Sequence, residues 1–285
     1  MGKNPTTQIK MNVISKIFKV KKPIIGMLHL DYLEGKNFKG LDIVLQKALA
    51  DIRALEEGGI DGILIENWKE DSIGEFVSKE TAKNFMNVCK KLSKYIYIPF
   101  GINVLNNDYK VAFSVAKEVK ATFIELDVFV DEVESDFENN IEAIQNPFQI
   151  HPNPKDIIAY AKNIGADNIP LFVFVQPKHY KMLYKEKSIQ TSVKEAIKNG
   201  ATAVLVTKHT GFAPTIDLIK NAKSAAGDTP VGIGSGFSAE NAKEFLEYVD
   251  FAVVGTSIKI DSITDNPVDI SKVLKLMKVV KAKRI

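Results

Sequence analysis

The sequence predicts a (β/α)₈ barrel, an α/β fold of the TIM-barrel type, built as a single domain. Eight short apolar runs alternate with longer amphipathic stretches along the 285 residues. The runs are continuous and rich in β-branched residues, which is typical of parallel strands covered on the outside by helices. The length suits such a barrel, which needs about 250 residues. No shift in composition marks a domain boundary.

The eight predicted strands favour a closed barrel over a doubly wound open sheet. No G-x-G-x-x-G fingerprint follows the first of them, where the chain continues HLDYLEGKN, so a doubly wound open sheet is disfavoured. The eight runs are Ile24–His29, Gly62–Asn67, Tyr97–Val104, Phe123–Phe129, Leu171–Gln176, Ala203–Lys208, Pro230–Ser235 and Phe251–Thr256.

Helical stretches lie between the strands. Leu41–Glu57 and Val193–Lys198 are each followed within two residues by glycine, a common helix C-cap that leads into the next strand. Ser238 is a candidate N-cap, since its side chain can accept from the first free N–H groups. A final helix is predicted from near Pro267 to about Val280, because proline suits a first turn.

Two segments exceed what the barrel needs. Residues 1–22 form an N-terminal extension, in which MNVISKIF suggests a short helix that covers the bottom of the barrel formed by residues 23–285. Residues 131–155, after the fourth strand, are longer than an ordinary connection. On the catalytic face such a loop is a candidate lid, or else an ordered surface loop.

Bulk composition excludes several classes of function. The net charge of +3 is small and dispersed, so neither nucleic acid nor an anionic membrane is an expected partner. No apolar run approaches the ~20 residues of a membrane span, and no signal peptide is evident. Cys89 is the single cysteine, which excludes a disulfide framework and is typical of a buried core thiol. We expect a cytoplasmic homo-oligomer.

A phosphate site is predicted where the last two strands end. Loops after strands seven and eight are the usual phosphate site of this fold, and glycine lets an anion approach backbone N–H groups. Because Arg53 and Arg284 are the only arginines, the backbone would dominate anion binding. Glycine-rich ends also permit tight turns, which is the alternative explanation. The candidate residues are Gly234, Ser235, Gly236, Gly255, Thr256 and Ser257.

A pair of carboxylates makes the fourth strand a candidate source of catalytic residues. Its sequence, FIELDVF, places Glu125, Asp127 and Phe129 on one face by the two-residue period of a strand. Carboxylates are costly to bury unless they are paired or face a polar cavity. The two acids could therefore supply a general base and its orienting partner, or form structural salt bridges with lysine.

Three basic side chains complete the candidate catalytic set. Lys178 and Lys208 follow strands five and six, where they could neutralise an anion, polarise a carbonyl or form a Schiff base. They could also pair with the carboxylates or extend into solvent. His29 ends strand one and could act as acid, base or ligand, or serve only as a structural hydrogen-bond partner.

The remaining polar strand ends are candidate substrate contacts. Asn67 and Asn103 suit hydrogen bonds to sugar hydroxyls, and Trp68 could form the floor of a pocket or cap the barrel. No HxH or HExxH spacing is present, so no metal site or cofactor is predicted, although the carboxylates could bind Mg²⁺ weakly. The substrate-binding set is Glu66, Asn67, Asn103, His179 and His209.

Several motifs in order resemble the BtpA/SgcQ family of predicted barrel proteins. They are KPIIGMLHL, GGIDGILIEN, PFGINVLNND, PVGIGSGFSAEN and DFAVVGTSIKIDSITDNPVD. The resemblance covers about Lys22 to Val280 and implies the same barrel. It also implies a context either of photosystem I biogenesis, with which the name-giving member is associated, or of sugar metabolism.

The chain departs from the family pattern in its middle strands. HLDYLEG stands where the family has HLPPLPG, and Asp127 and Phe129 stand where it has Asn and His. Strand five has FVQPKH in place of a DVHVKH-like segment, and strand six has VTKHTGF in place of VTGSATG. The wall formed by strands four to six is therefore rebuilt. This pattern implies a different substrate or reaction, or a member without catalysis.

Two functions follow. The first is an enzyme of the isomerase, lyase or glycosidic-bond hydrolase type that acts by acid–base chemistry on a phosphorylated sugar or nucleotide-like small molecule. The second is a non-catalytic ligand-binding or assembly factor of the BtpA type, including a membrane-peripheral one.

Overall fold

The computed structural model describes residues 12–69, 74–136, 147–209 and 211–284. Eight parallel strands close into a barrel, as predicted, and each lies within one of the predicted apolar runs. The barrel strands are β1 Ile24–His29, β2 Gly62–Glu66, β3 Phe100–Asn103, β4 Phe123–Leu126, β7 Leu171–Val175, β9 Ala203–Val206, β10 Val231–Ile233 and β11 Phe251–Val254. Three further short strands are β5 Val133–Ser135, β6 Gln149–Ile150 and β8 Tyr180–Met182.

Strand order fixes which loops face each other across the barrel. Around the ring the order is β1, β11, β10, β9, β7, β4, β3 and β2. The ring closes between β1 and β11, where Ile24 lies opposite Ala252 and Gly26 opposite Val254. In this order β3 lies across the barrel from β10 and β11.

Helices connect the strands and cover their outer face. They are α1 Val13–Phe18, α2 Leu41–Glu57, α3 Lys79–Leu92, α4 Tyr109–Val119, α5 Pro154–Asn163, α6 Ile189–Lys198, α7 Ile216–Ala226, α8 Ala242–Phe245 and α9 Ile270–Arg284. None of the described helices is both long and apolar enough to cross a bilayer.

The core has two layers. In the outer layer, residues at alternate strand positions pack against the helices. Cys89 of α3 is buried in this layer. Inside the barrel, aromatic rings fill the lower half, and Phe123 stacks on Phe172 with ring centroids 4.7 Å apart. Glycine makes room for them, since a Cβ at Gly101 would lie 2.2 Å from the Phe123 ring.

Helix α1 closes the lower end of the barrel, at the position where the sequence predicts a short helix. Its Phe18 ring lies 5.8 Å from that of Phe123 and packs over Gly62 at the start of β2. Ile14 and Phe18 are buried in the interior cluster. The open end of the barrel is therefore the opposite one.

A three-stranded antiparallel sheet, which the sequence does not predict, lies after β4 and β7. Strand β5 pairs with β6 and β8, so that Val133 faces both Ile150 and Met182. The sheet includes parts of the candidate lid, residues 131–155, of which residues 137–146 lie outside the described part of the chain. Its role as a lid stays a prediction.

Several predicted boundaries are wrong, among them the start of α6, which lies at Ile189 and not Val193 because Ser188 caps the helix by accepting from the Thr191 N–H. Strand β3 begins at Phe100, after Pro99, and Tyr97 is 83 % exposed. Helix α8 begins at Ala242, because Ser238 opens a separate turn in which its hydroxyl accepts from the Glu240 N–H. The last helix begins at Ile270, three residues after Pro267, where the Asp269 carboxylate accepts from the Ser271 N–H. It also continues past Val280 to Arg284.

Candidate functional site

A cavity of about 1150 Å³ opens at the carboxyl ends of the barrel strands. This is the end at which barrels of this type build their active sites. Thirteen of the sixteen predicted site residues line it: His29, Glu66, Glu125, Asp127, Lys178, His179, His209, Gly234, Ser235, Gly236, Gly255, Thr256 and Ser257.

Asn103 joins three carboxylates beneath this cavity. Its Nδ2 atom donates to Glu66 at 3.1 Å, to Asp127 at 3.1 Å and to Glu125 at 3.3 Å. The amide carries only two hydrogens, so it cannot satisfy three carboxylate oxygens fully at once. Asn103, Glu66 and Glu125 are all buried. We call these four residues the acid cluster.

Burial favours the protonated form of two acids of the cluster, Glu66 and Glu125. It raises the pKa of Glu66 to about 8, and the nearby Asp127 charge acts in the same direction. The pKa of Glu125 is raised well above its ordinary value by burial and then by the charges of Asp127 and Glu66. Burial raises the pKa of Asp127 only to about 6, because Asn103 donates to it and Lys178 is nearby. Of the three acids, Asp127 is the one most readily ionised at neutral pH.

His29 lies beside the acid cluster as a neutral ring. Its Nε2 atom is 3.7 Å from a Glu66 oxygen, and its ring centroid is 5.0 Å from that of Trp68. Burial lowers the pKa of His29 well below its ordinary value, and the charges of Lys259 and Lys178 lower it further. Trp68 is held by a 2.7 Å hydrogen bond from Nε1 to Asp265 and lines the cavity.

One wall of the cavity follows β7. Gln176 and His179 both adopt positive φ, at 50° and 67°, which bends the segment that carries Lys178. The buried Asp131 carboxylate holds this segment, since it accepts from the Gln176 N–H at 2.7 Å. Burial lowers the pKa of His179 to about 4, with a further contribution from the Lys178 charge.

Tyr180 is a cavity residue that the sequence does not identify. Its hydroxyl donates to the Asn106 carbonyl at 3.2 Å, and both residues line the cavity. It lies on β8, whose three residues carry no apolar pattern long enough to predict a strand. The only sequence signal is its position next to Lys178 and His179.

Backbone N–H groups without an acceptor among the described residues lie at the ends of β10 and β11, across the cavity from the acid cluster. The N–H groups of Gly236, Thr256 and Ser257 have no hydrogen-bond acceptor among the described residues. Their hydroxyl neighbours are already engaged, since Ser257 Oγ donates to the Phe237 carbonyl at 2.7 Å and Thr256 Oγ1 lies 2.9 Å from Thr264 Oγ1. These hydroxyls are thus occupied, and the strand ends offer main-chain N–H groups to a ligand, next to the ammonium groups of Lys272 and Lys275, which also line the cavity.

Packing explains two of the glycines on this wall. A Cβ at Gly234 would lie 2.3 Å from the Phe174 ring. Gly236 has φ +64°, and a Cβ there would lie 2.1 Å from the Ala213 backbone nitrogen. Glycine is therefore required at both positions by close packing against the Phe174 ring and the Ala213 backbone. An anion would need only the N–H groups of this wall.

Ser235 is a connector between strand ends. Its Oγ accepts from the Lys208 N–H and from Thr207 Oγ1, both at 2.9 Å, and it lies 3.0 Å from the Phe212 carbonyl oxygen. With these partners its hydroxyl is occupied. It ties the end of β9 to the end of β10.

Some predicted residues lie away from the cavity. The Lys208 side chain is exposed and does not line it, since Ser235 holds the Lys208 backbone. Asn67 is fully buried and accepts from the Leu105 N–H at 2.7 Å, which is a structural contact. Phe129 packs in the outer core rather than beside Asp127, because β4 ends at Leu126 and the strand alternation stops there.

Neither arginine reaches the cavity. Arg53 lies on the exposed face of α2, and Arg284 pairs with Asp61 at the lower end of the barrel. Within the described ranges, no three His, Cys, Asp or Glu side chains are grouped so as to hold a metal ion. Weak binding of Mg²⁺ by the carboxylates stays an untested prediction.

Comparisons with known proteins place the chain among relatives of similar length. A sequence model described as the BtpA family matches residues 20–282. An uncharacterized protein of Pyrococcus horikoshii is 33 % identical, over 92 % of this chain and 97 % of its own. The photosystem I biogenesis protein BtpA of Synechocystis is 28 % identical, over 85 % of this chain and 82 % of its own.

A solved structure shares the fold. The phosphoribosylanthranilate isomerase of Thermotoga maritima matches with a TM-score of 0.55 over 92 % of this chain and 99 % of its own. The sequence identity is 13 %, so this likeness concerns the fold alone.

Proposed function

This chain belongs to the BtpA family, and we propose that it is an enzyme that acts on a phosphorylated sugar or nucleotide-like small molecule by acid–base chemistry. The observation that carries the proposal is the placement of the acid cluster across the cavity from unpaired backbone N–H groups. One wall offers proton-transfer groups and the other offers anion-binding groups, in a cavity large enough for a small metabolite.

The anion would bind at the ends of β10 and β11. Backbone N–H groups of Gly236, Thr256 and Ser257 would donate to phosphate oxygens, in the position where this fold commonly binds phosphate. The isomerase that shares the fold is named after a phosphoribosyl compound, and this name agrees with a phosphorylated ligand here. Because neither arginine lines the cavity, the main chain would donate to the anion together with the ammonium groups of Lys272 and Lys275.

The chemistry would take place at the acid cluster. Asp127, with a pKa of about 6, would accept a proton at neutral pH, and Glu66, with a pKa of about 8, would donate one. Glu125, protonated, would orient the ligand, and Lys178 would stabilise developing negative charge. Isomerase, lyase and glycosidic-bond hydrolase reactions all suit this pair of groups.

A binding experiment tests the anion site. We expect inorganic phosphate and ribose 5-phosphate, but not ribose, to raise the melting temperature of the protein. At a hundred times its dissociation constant a ligand adds about 2.7 kcal/mol, which is roughly 5–10 °C for a chain of this size. A shift with ribose alone would contradict the proposal.

A pair of variants isolates the backbone contact. Thr256→Pro removes one N–H group at the first position of a short 3₁₀ helix, where proline is tolerated, and Thr256→Val retains that group while removing the hydroxyl. The proline variant should weaken phosphate binding, and the valine variant should not. Equal loss in both would assign binding to the hydroxyl instead.

A second function is a ligand-binding assembly factor without catalysis. The similarity to the photosystem I biogenesis protein of Synechocystis favours it, as does the exposed position of Lys208, which leaves Lys178 as the cavity lysine among the two predicted. Turnover separates the two functions. An assembly factor would bind phosphorylated ligands without converting them, and Asp127→Asn would leave that binding intact.

A further inference from the structure

The two walls of the cavity differ in what a ligand must bring to them. At the ends of β10 and β11 the free groups are N–H donors, which call for an acceptor. At the opposite side, Asn103 ends β3 and is surrounded by carboxylate oxygens. Because β3 lies across the barrel from β10 and β11, one ligand can span both walls.

Acceptors exceed donors at the acid cluster. The three carboxyl groups together have six oxygens, whereas the Asn103 amide supplies two hydrogens and the protonated Glu66 and Glu125 supply one each. Glu125 is 2 % exposed, lines the cavity, and its second oxygen has no hydrogen-bond partner among the described residues. A buried polar atom without a partner is costly, and a ligand hydroxyl, which can both donate and accept, would pair with this oxygen whether or not it carries the proton.

At neutral and higher pH the formal charge at this wall is not positive. Lys178 is the ammonium group whose field reaches Glu66, Glu125 and Asp127. With all three carboxylates ionised it leaves a charge of minus two, and with Glu66 and Glu125 protonated it leaves zero. His29 adds no charge, because burial lowers its pKa well below the ordinary value. An anionic group placed here would therefore meet no net attraction.

We propose that the site selects phosphorylated ligands whose other end carries hydroxyl or amino groups, and that it rejects those whose other end carries a carboxylate or a second phosphate. This inference rests on the proposed phosphate site, and it narrows the substrate class. Donor-rich ends satisfy the surplus oxygens of the acid cluster. Anionic ends bring further acceptors and like charge into a buried site.

Matched pairs of phosphorylated compounds test the selection. Calorimetry would compare glycerol 3-phosphate with 3-phosphoglycerate, ribose 5-phosphate with 5-phosphoribonate, and glucose 6-phosphate with 6-phosphogluconate. Each pair shares its phosphate and chain length and differs by one carboxylate. Inorganic phosphate serves as the reference ligand. In every pair that binds, we expect the member without the carboxylate to have an affinity at least tenfold higher than that of its acid.

Variants connect the selection to the acid cluster. Glu125→Gln and Asp127→Asn each replace a carboxylate by an amide of the same shape, and their double variant should reduce the tenfold preference to less than threefold. Glu244→Gln, at an exposed position of α8, is the matched control and should retain the full preference. Because the wild-type comparison decides the proposal by itself, a variant that fails to fold does not leave it open.

Each outcome has a distinct meaning. Equal binding within the pairs, or tighter binding of the acids, overturns the selection and leaves the phosphate site intact. Binding of inorganic phosphate with no binding of any pair member also overturns it. If neither inorganic phosphate nor any pair member binds, the proposed function itself fails.

Discussion

The Nε2 atom of His29 lies 3.7 Å from a carboxylate oxygen of Glu66, and each side chain is only 8 % exposed. At neutral pH this contact joins two mostly uncharged groups. Burial raises the pKa of Glu66 to about 8 and lowers the pKa of His29 well below its ordinary value. Between these two pKa values Glu66 is ionised in the unfolded chain and protonated in the folded protein, so its contribution to the free energy of unfolding depends on pH.

Stability of the wild-type protein should fall relative to Glu66→Gln as the pH rises. The folded-state pKa of Glu66, about 8, exceeds its ordinary value of 4.5. Its stabilising contribution is thus complete below pH 4.5 and is lost as the pH rises through 8. One pKa unit is about 1.4 kcal/mol, so the free energy of unfolding of Glu66→Gln should gain on the order of 2–4 kcal/mol over wild type between pH 5 and 8.

Urea unfolding at pH 5, 6.5 and 8 measures this difference. Glu244→Gln, a surface substitution, is the control and should show a difference from wild type that stays constant over the same range. A flat difference for Glu66→Gln as well would mean that Glu66 ionises freely in the folded protein.

The barrel was predictable because its signals are local. Each barrel strand is a continuous apolar run, and α2 spans Leu41–Glu57 as predicted. The small sheet was not predictable, because β5 and β6 have only three and two residues. Its pairs also form between segments far apart in sequence, so no short window of residues contains the signal.

Thirteen of the sixteen predicted residues line the cavity, but the geometry that joins them was not predictable. Strand ends identify Glu66, Asn103 and Glu125 as neighbours of one cavity, since the carboxyl ends of parallel strands meet at one face. The two glutamates meet at the Asn103 amide only because of the stagger between neighbouring strands around the barrel. No short stretch of sequence determines that stagger. Lys178 and Lys208 both follow barrel strands, and what separates them is the bend at Gln176 and His179 in one segment and the contacts of Ser235 with the Lys208 backbone in the other.

Gly236→Ala should destabilise the protein strongly. Its φ of +64° already disfavours a side chain, and a Cβ would lie 2.1 Å from the Ala213 nitrogen, a backbone atom that cannot move independently. Gly165→Ala is the matched control, because its φ is +66° and the nearest atom is the flexible Lys117 Nζ at 3.6 Å. Strain alone should cost the control about 1–2 kcal/mol.

Thermal and urea unfolding of both glycine variants separate strain from collision. The Gly236 variant should lose at least about twice as much stability as the control, because it carries both costs. Equal losses would show that the loop containing Ala213 moves away without penalty.

Lys259→Met should destabilise the protein by about 3–5 kcal/mol, the usual cost of leaving a buried charge unpaired. Lys259 is 1 % exposed, and its Nζ lies 3.0 Å from an Asp51 oxygen. The other Asp51 oxygen accepts from the Val268 N–H at 2.8 Å. Together these contacts attach the segment after β11 to α2.

Adding Asp51→Asn to the Lys259→Met variant should restore part of the lost stability. The amide removes the unpaired charge and keeps an oxygen for the Val268 N–H. Lys275→Met, which breaks an exposed pair with Glu240, is the control and should change stability by less than about 1 kcal/mol. A double variant less stable than Lys259→Met would show that Asp51 does not carry an unpaired charge.

Asn103→Leu should raise the pKa of Asp127 above its value of about 6. Burial raises that pKa, and the Asn103 hydrogen bond is the first of the contacts that hold it down. Carbon-13 NMR of the aspartate carboxyl groups would follow the titration, with Asp127→Asn to assign the resonance. Asn106→Leu removes an amide that donates to the Gly74 carbonyl instead, and it should leave the titration unchanged. An Asp127 resonance that titrates at the same pH in Asn103→Leu and wild type would contradict the role of Asn103, and burial and the Lys178 charge would then set the ionisation of Asp127.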